Sequence, residues 1–152
     1  MRYTVEVDQS IKIEQAGATV LAFSNGIAWA ILIPPDVKTE TIRRLIYRKH
    51  TNLEARLIVF AAGLYLLLRD RLAELGQVII DVEYQGQEAN IKAVLLRYIW
   101  RTAPDFDRDR IIFRRVGKKS PAHAKARAVR TGRDRQYRRV TLEELLEVLG
   151  QK

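Results

Sequence analysis

Residues 3–14, YTVEVDQSIKIE, alternate with a period of two. Val5, Val7, Gln9, Ile11 and Ile13 point one way, and Glu6, Asp8, Ser10, Lys12 and Glu14 point the other. Such a pattern predicts a strand with one buried face. Gln15-Ala16-Gly17-Ala18 turns the chain into a second strand, Thr19–Ser24, and Asn25-Gly26 is a two-residue hairpin signal leading into a third, Ile27–Ile33. Pro34-Pro35-Asp36 closes the meander. A chain that opens this way must build on three antiparallel strands and cover them with its remaining residues.

Beyond Asp36 the chain alternates helix and strand. Thr39–Lys49 is expected to be a short helix, and Thr51 and Asn52 offer N-cap oxygens to a longer one. Its stripe runs Leu53, Leu57, Ala61, Leu64, Leu68, Leu72 and Leu75, with Gly76 as the stop. Gln77–Tyr84 reads as a buried strand, Glu88–Arg101 as a helix and Arg110–Val116 as a fifth strand. Pro121–Arg130 is a helix capped by Ser120, with proline at its first position. Thr131–Arg139 is a charged linker, and Thr141-Leu142-Glu143-Glu144 is a capping box opening a terminal helix. The expected architecture is α/β, a five-stranded mixed sheet flanked by helices. The main domain is 1–130, and 131–152 is a basic linker with a short helix.

A chain of 152 residues, 47% hydrophobic, suits one domain with a sizeable core. The longest apolar run, Leu57–Leu68, is too short to span a bilayer, and the first ten residues hold no apolar signal core. The absence of cysteine excludes disulfides and thiolate metal sites and fits a reducing, cytoplasmic setting. Net charge is +9, and thirteen of the 27 Lys and Arg residues fall between Arg108 and Arg139, opposed only by Asp109 and Asp134. That concentration predicts a polyanionic partner, nucleic acid first. Leu142, Leu145, Leu146 and Leu149 give the terminal helix an apolar side to be covered by the domain or by a second subunit.

Three acidic residues sit oddly for their settings. Asp8 lies inside a strand, Asp81 follows the apolar run Val78-Ile79-Ile80, and Glu54 opens a largely hydrophobic helix. A fourth polar residue, His123, stands on the first turn of the basic helix. In this order the residues resemble the ribonuclease H family, type 1. Asp8-Gln9-Ser10 resembles its Asp-x-Ser motif, and Thr51-Asn52-Leu53-Glu54-Ala55 resembles the opening of its first long helix. Asp81-Val82-Glu83-Tyr84 is similar to the motif ending its fourth strand, with valine for serine. Ala122-His123-Ala124-Lys125-Ala126 falls where the family's last motif lies, with histidine in place of aspartate. The likeness covers roughly Tyr3–Arg130.

The resemblance implies a ribonuclease H-like fold and two-metal hydrolysis of phosphodiester bonds, most often in the RNA strand of RNA/DNA hybrids. It implies Asp8, Glu54 and Asp81 as oxygen ligands of paired Mg²⁺ or Mn²⁺ ions, with His123 completing the second ion's shell or assisting proton transfer. Glu83 is the rival of Asp81, because residues two apart on a strand share a face and both could reach the site; the motif favours Asp81. Lys118, Lys119, Lys125, Arg127 and Arg130 are the candidate contacts to a nucleic-acid backbone. The other classes open to such a chain are a non-catalytic nucleic-acid-binding module and a structure-specific DNA endonuclease of the junction-resolvase type.

Overall fold

The computed structural model describes residues 2–150. Six strands form one mixed sheet in the order β5-β4-β1-β2-β3-β6. β1 (Tyr3–Ser10), β2 (Thr19–Ser24) and β3 (Ala28–Ile33) are the expected antiparallel meander, paired Asp8↔Ala22 and Ala22↔Ala30. β4 (Leu75–Ile80) joins β1 in parallel, and β5 (Ile111–Phe113) joins β4 in parallel. β6 (Arg138–Arg139) pairs in parallel with β3. The sheet therefore has six strands rather than five, because the open edge of β3 recruits two residues from the segment expected to be only a linker.

Among the described residues five helices cover the sheet: α1 (Pro35–Tyr47), α2 (Asn52–Arg69), α3 (Glu88–Thr102), α4 (Pro121–Arg130) and α5 (Leu142–Val148). One core joins Val5, Val7, Leu21 and Ile31 of the sheet to α1, α2, α3 and α5. α2 is its axis, buried almost continuously from Leu57 to Leu68. A Cβ on Gly63 would stand 2.9 Å from Leu21 Cδ1, so the missing side chain lets this helix lie close against β2. A smaller cluster on the other face seats α4, with Ala126 and Val129 packed on Val20, Ala22 and Ala30. The alanines keep that face shallow, which brings α4 down onto β1 and β2.

The fourth strand ends at Ile80 rather than Tyr84, the fifth is only Ile111–Phe113 rather than Arg110–Val116, and three further boundaries differ from expectation for physical reasons. β1 stops at Ser10, since Ile11 takes a φ of 66° that breaks the alternation. The loop beyond is held by Lys38, buried to 3% exposure, whose Nζ donates to Gln15 O at 2.9 Å and to Thr19 Oγ1 at 3.0 Å. α2 ends at Arg69, a 3-10 turn covers Leu72–Glu74, and Gly76 lies inside β4 rather than stopping a helix. Pairing of Leu75 with Tyr3 starts the strand there, overriding the helical spacing of Leu72 and Leu75. α1 begins at Pro35, four residues before the expected Thr39, with proline in the first turn.

The terminal helix is covered by its own chain. Leu145 and Val148 enter the main core, and Arg138 of β6 pairs with Glu144 of α5. No helix among the described residues is long and apolar enough to cross a membrane.

Candidate metal centre

Asp8 sits in mid-β1 on the α4 face, opposite Ala22, and is only 5% exposed. A buried carboxylate needs partners for its charge. Asp8 Oδ1 accepts from the Gln9 backbone N–H at 2.8 Å, and Oδ2 lies 2.8 Å from His123 Nδ1. A carboxylate only accepts, so the contact is made by a proton on Nδ1, and Nε2 is not engaged by Asp8.

Asp81 lies one residue past β4. Its N–H extends the parallel ladder to Val7 O at 3.0 Å, and its Oδ1 accepts from Val116 N–H at 2.7 Å. The β5–α4 connection is thereby tied to the end of β4. Glu83 comes next, where the chain leaves the sheet. Oxygens of Asp8, Asp81 and Glu83 all lie within 4.8 Å of one another, and together they could hold a metal ion.

The electrostatics of this trio are unfavourable without a cation. Burial first, then a hydrogen bond with Asp81 and the charges of Asp81 and Asp8, push the Glu83 carboxyl up to about 8 from its ordinary 4.5, against a smaller opposing pull from Lys12. Glu83 therefore holds its proton to a higher pH than an ordinary carboxyl does. A divalent ion there would offset the crowded negative charge, and the donor set, three hard carboxylates, suits Mg²⁺ or Mn²⁺.

The four residues expected at this site are not all brought together. Asp8, Asp81 and His123 converge, but Glu54 does not. It closes a capping box at the start of α2: Thr51 N–H donates to Glu54 Oε1 at 2.8 Å, and Glu54 N–H donates to Thr51 Oγ1 at 3.1 Å. The Thr51 backbone hydrogen bond is the main cause holding its carboxyl below the usual range. Thr-x-x-Glu is the spacing of a capping box, and that local demand decides where Glu54 points. The carboxylate instead borders a groove of about 570 Å³ between α2 and α3, beside His50 and Arg97. α2 presents Phe60 to the acidic cavity. Glu83 joins the centre alongside Asp81 rather than competing with it; its two-residue spacing from Asp81 was the available signal.

α4 is stitched along the polar face of β1. Ser120 Oγ donates to Glu6 Oε1 at 2.7 Å, His123 meets Asp8, and Arg130 Nε donates to Ser10 Oγ. Glu6, Asp8 and Ser10 share that face by strand alternation. Seven residues separate His123 from Arg130, two helical turns, so one side of the helix carries both.

Of the five expected backbone contacts, Lys118, Lys119 and Arg127 are exposed beside this seam. Arg130 is exposed as a residue while its Nε holds Ser10. Lys125 is not free for a ligand: its side chain is 12% exposed and its Nζ donates to Asp134 Oδ2 at 2.7 Å and Gln136 O at 3.0 Å. It secures the loop after α4 instead. Arg114, Arg115, Arg133 and Arg135 add exposed positive charge on either side. Compared with protein-family models, with curated proteins and with solved structures, the chain matches none.

Proposed function

We propose that the protein is a metal-dependent nuclease of the ribonuclease H-like type, hydrolysing phosphodiester bonds, with the RNA strand of an RNA/DNA hybrid as its substrate. The observation that carries this reading is the meeting of Asp8, Asp81 and Glu83 within 4.8 Å beside a basic helix that reaches the same site through His123. An acidic centre alone would repel a phosphodiester. Beside Arg127 of α4 and Lys118 and Lys119 of the loop before it, such a centre would lie where positive charge can hold a phosphate backbone. The α/β architecture, with its three opening antiparallel strands and parallel additions, is compatible with the fold that the motifs resemble.

In this reading Asp8, Asp81 and Glu83 hold Mg²⁺ or Mn²⁺, which when bound supplies an activated water and stabilises the departing oxygen. Glu83 would release its proton to solvent if it ligated such an ion. Asp8 fixes the His123 tautomer, so Nε2 is the atom that takes up a proton or a ligand bond at the edge of the site. With Glu54 committed to the α2 cap, three carboxylates and one imidazole are left to share between the two ions that the resemblance implies. Hybrid duplex would be read by its shape and 2′-hydroxyls.

The test is cleavage of labelled RNA/DNA hybrid, duplex RNA, duplex DNA and branched DNA with Mg²⁺ and with Mn²⁺. Metal-dependent cutting of hybrid RNA supports the proposal. Cutting of branched DNA alone replaces it with a junction endonuclease, and tight binding with no cutting of any substrate replaces it with a binding module.

A further inference from the structure

Position 9 continues the face of β1 that Val5 and Val7 pack into the main core, yet it holds a glutamine. Its carboxamide Oε1 and Nε2 are both shielded from solvent, and neither has a hydrogen-bond partner among the described residues. An unpaired buried amide is a standing cost to a fold, and leucine or methionine would occupy the same space without it. Gln9 lines the small cavity that Asp8, Asp81 and Glu83 also line, closed on the other side by Leu21, Phe60 and Ile80. This cavity leaves no room for a water molecule, so a bridging water does not account for the amide. A divalent cation held by the three carboxylates at the edge of the cavity would not need that space, and amide carbonyl oxygens are ordinary ligands for Mg²⁺, Mn²⁺ and Ca²⁺.

We infer that Gln9 Oε1 is a neutral oxygen ligand of the ion held by Asp8, Asp81 and Glu83, on the side of the centre that α2 fills with Phe60 instead of a carboxylate. The inference rests on the metal-site reading above. It gives a chemical reason for a polar side chain on a core-facing position, and it makes the centre less negative than one with a fourth carboxylate. The ion would thus be held by three charges and one dipole.

The experiment is Mn²⁺ titration of the full-length protein, followed by calorimetry and by the electron paramagnetic resonance of free Mn²⁺, with thermal melts of the metal-free proteins. Gln9→Leu is expected to weaken Mn²⁺ binding about tenfold, within the range that loss of one supporting group causes. Its metal-free melting temperature should equal or exceed that of the wild type, because the orphan amide is gone. Gln9→Glu is expected to tighten Mn²⁺ binding and to lower metal-free stability above neutral pH. Should Gln9→Leu not fold, Gln9→Met keeps the length without the oxygen and carries the same expectation. If wild type binds Mn²⁺ and the Gln9 variants bind it equally well, the inference is overturned and the carboxylate site stands. If wild type binds Mn²⁺ no better than Asp8→Asn does, the metal reading itself is wrong and the role of Gln9 goes with it.

Discussion

Glu83→Gln should stabilise the metal-free protein at alkaline pH while removing much of its response to metal. Burial and the neighbouring Asp81 and Asp8 carboxylates raise the Glu83 carboxyl from 4.5 to about 8. The folded form therefore binds its proton more tightly than the unfolded chain. The associated stability is fully present below about pH 4.5 and is lost as pH rises through about 8. Taken whole, such a shift corresponds to about 5 kcal/mol. Glu83 is only partly buried, and solvent screening reduces this to on the order of 1–2 kcal/mol. Glutamine keeps the size and the hydrogen-bonding capacity but never ionises. At pH 9 without metal the variant should melt about 3–6 °C higher than wild type, and at pH 4.5 the two should coincide. Adding Mn²⁺ at pH 8 should raise the wild-type midpoint markedly and the variant's much less. Thermal melts by circular dichroism, with and without chelator across this pH range, make the comparison. A variant that is less stable than wild type at pH 9 without metal, or that gains as much from Mn²⁺, would refute the reasoning.

The basic face and the histidine make further predictions. Neutralising Lys118, Lys119 and Arg127 together should flatten the dependence of log K on log salt for duplex by about 2–3 units. Lys125→Gln alone should leave the slope unchanged rather than flatten it by the roughly 0.9 units of one lost phosphate contact, because its charge is already paired with Asp134; filter binding across salt concentrations reads both. Wild type should be more active with Mn²⁺ than with Mg²⁺, since Mn²⁺ accepts a nitrogen ligand more readily. His123→Asp should narrow or reverse that preference, and should cost stability without metal as pH rises, because the new carboxylate faces Asp8 Oδ2 in place of the imidazole that now lies 2.8 Å away. Initial rates against metal concentration, with melts of the same proteins, test both effects.

Legibility in the sequence tracked the strength of local chemistry. The meander was readable because Asn25-Gly26 marks its hairpin, and α4 was readable to the residue because Ser120 accepts from Ala122 N–H and Pro121 stands as the first helical residue. The capping box at Thr141 likewise announced α5. β6 was not readable: two adjacent arginines carry no alternation, and only the edge of β3 makes them a strand. The end of α2 was hidden because Leu72 and Leu75 continue its spacing after the helix has ended. At the site, Asp8, Asp81 and His123 stood out as polar residues in awkward places. Glu54 misled because one Thr-x-x-Glu pattern serves both a helix cap and the resemblance. Glu83 was visible as a rival of Asp81, but not that the chain leaves β4 at Ile80 and brings both carboxylates to Asp8; nothing in the sequence marks the buried amide of Gln9, which depends on packing around it.

The central claim is that the working centre is built on Asp8, Asp81 and Glu83, with Glu54 outside it. The most direct measurement is the initial rate of hybrid cleavage in saturating Mn²⁺ for wild type, Asp8→Asn and Glu54→Gln, each verified as folded. Loss of an outer partner of a metal ligand already costs about 10–100-fold, so Asp8→Asn should fall by roughly 100-fold or more. Glu54→Gln should cut at close to the wild-type rate, with only the stability of the α2 cap reduced. Near wild-type cleavage by Asp8→Asn, or its loss in Glu54→Gln, would contradict the account.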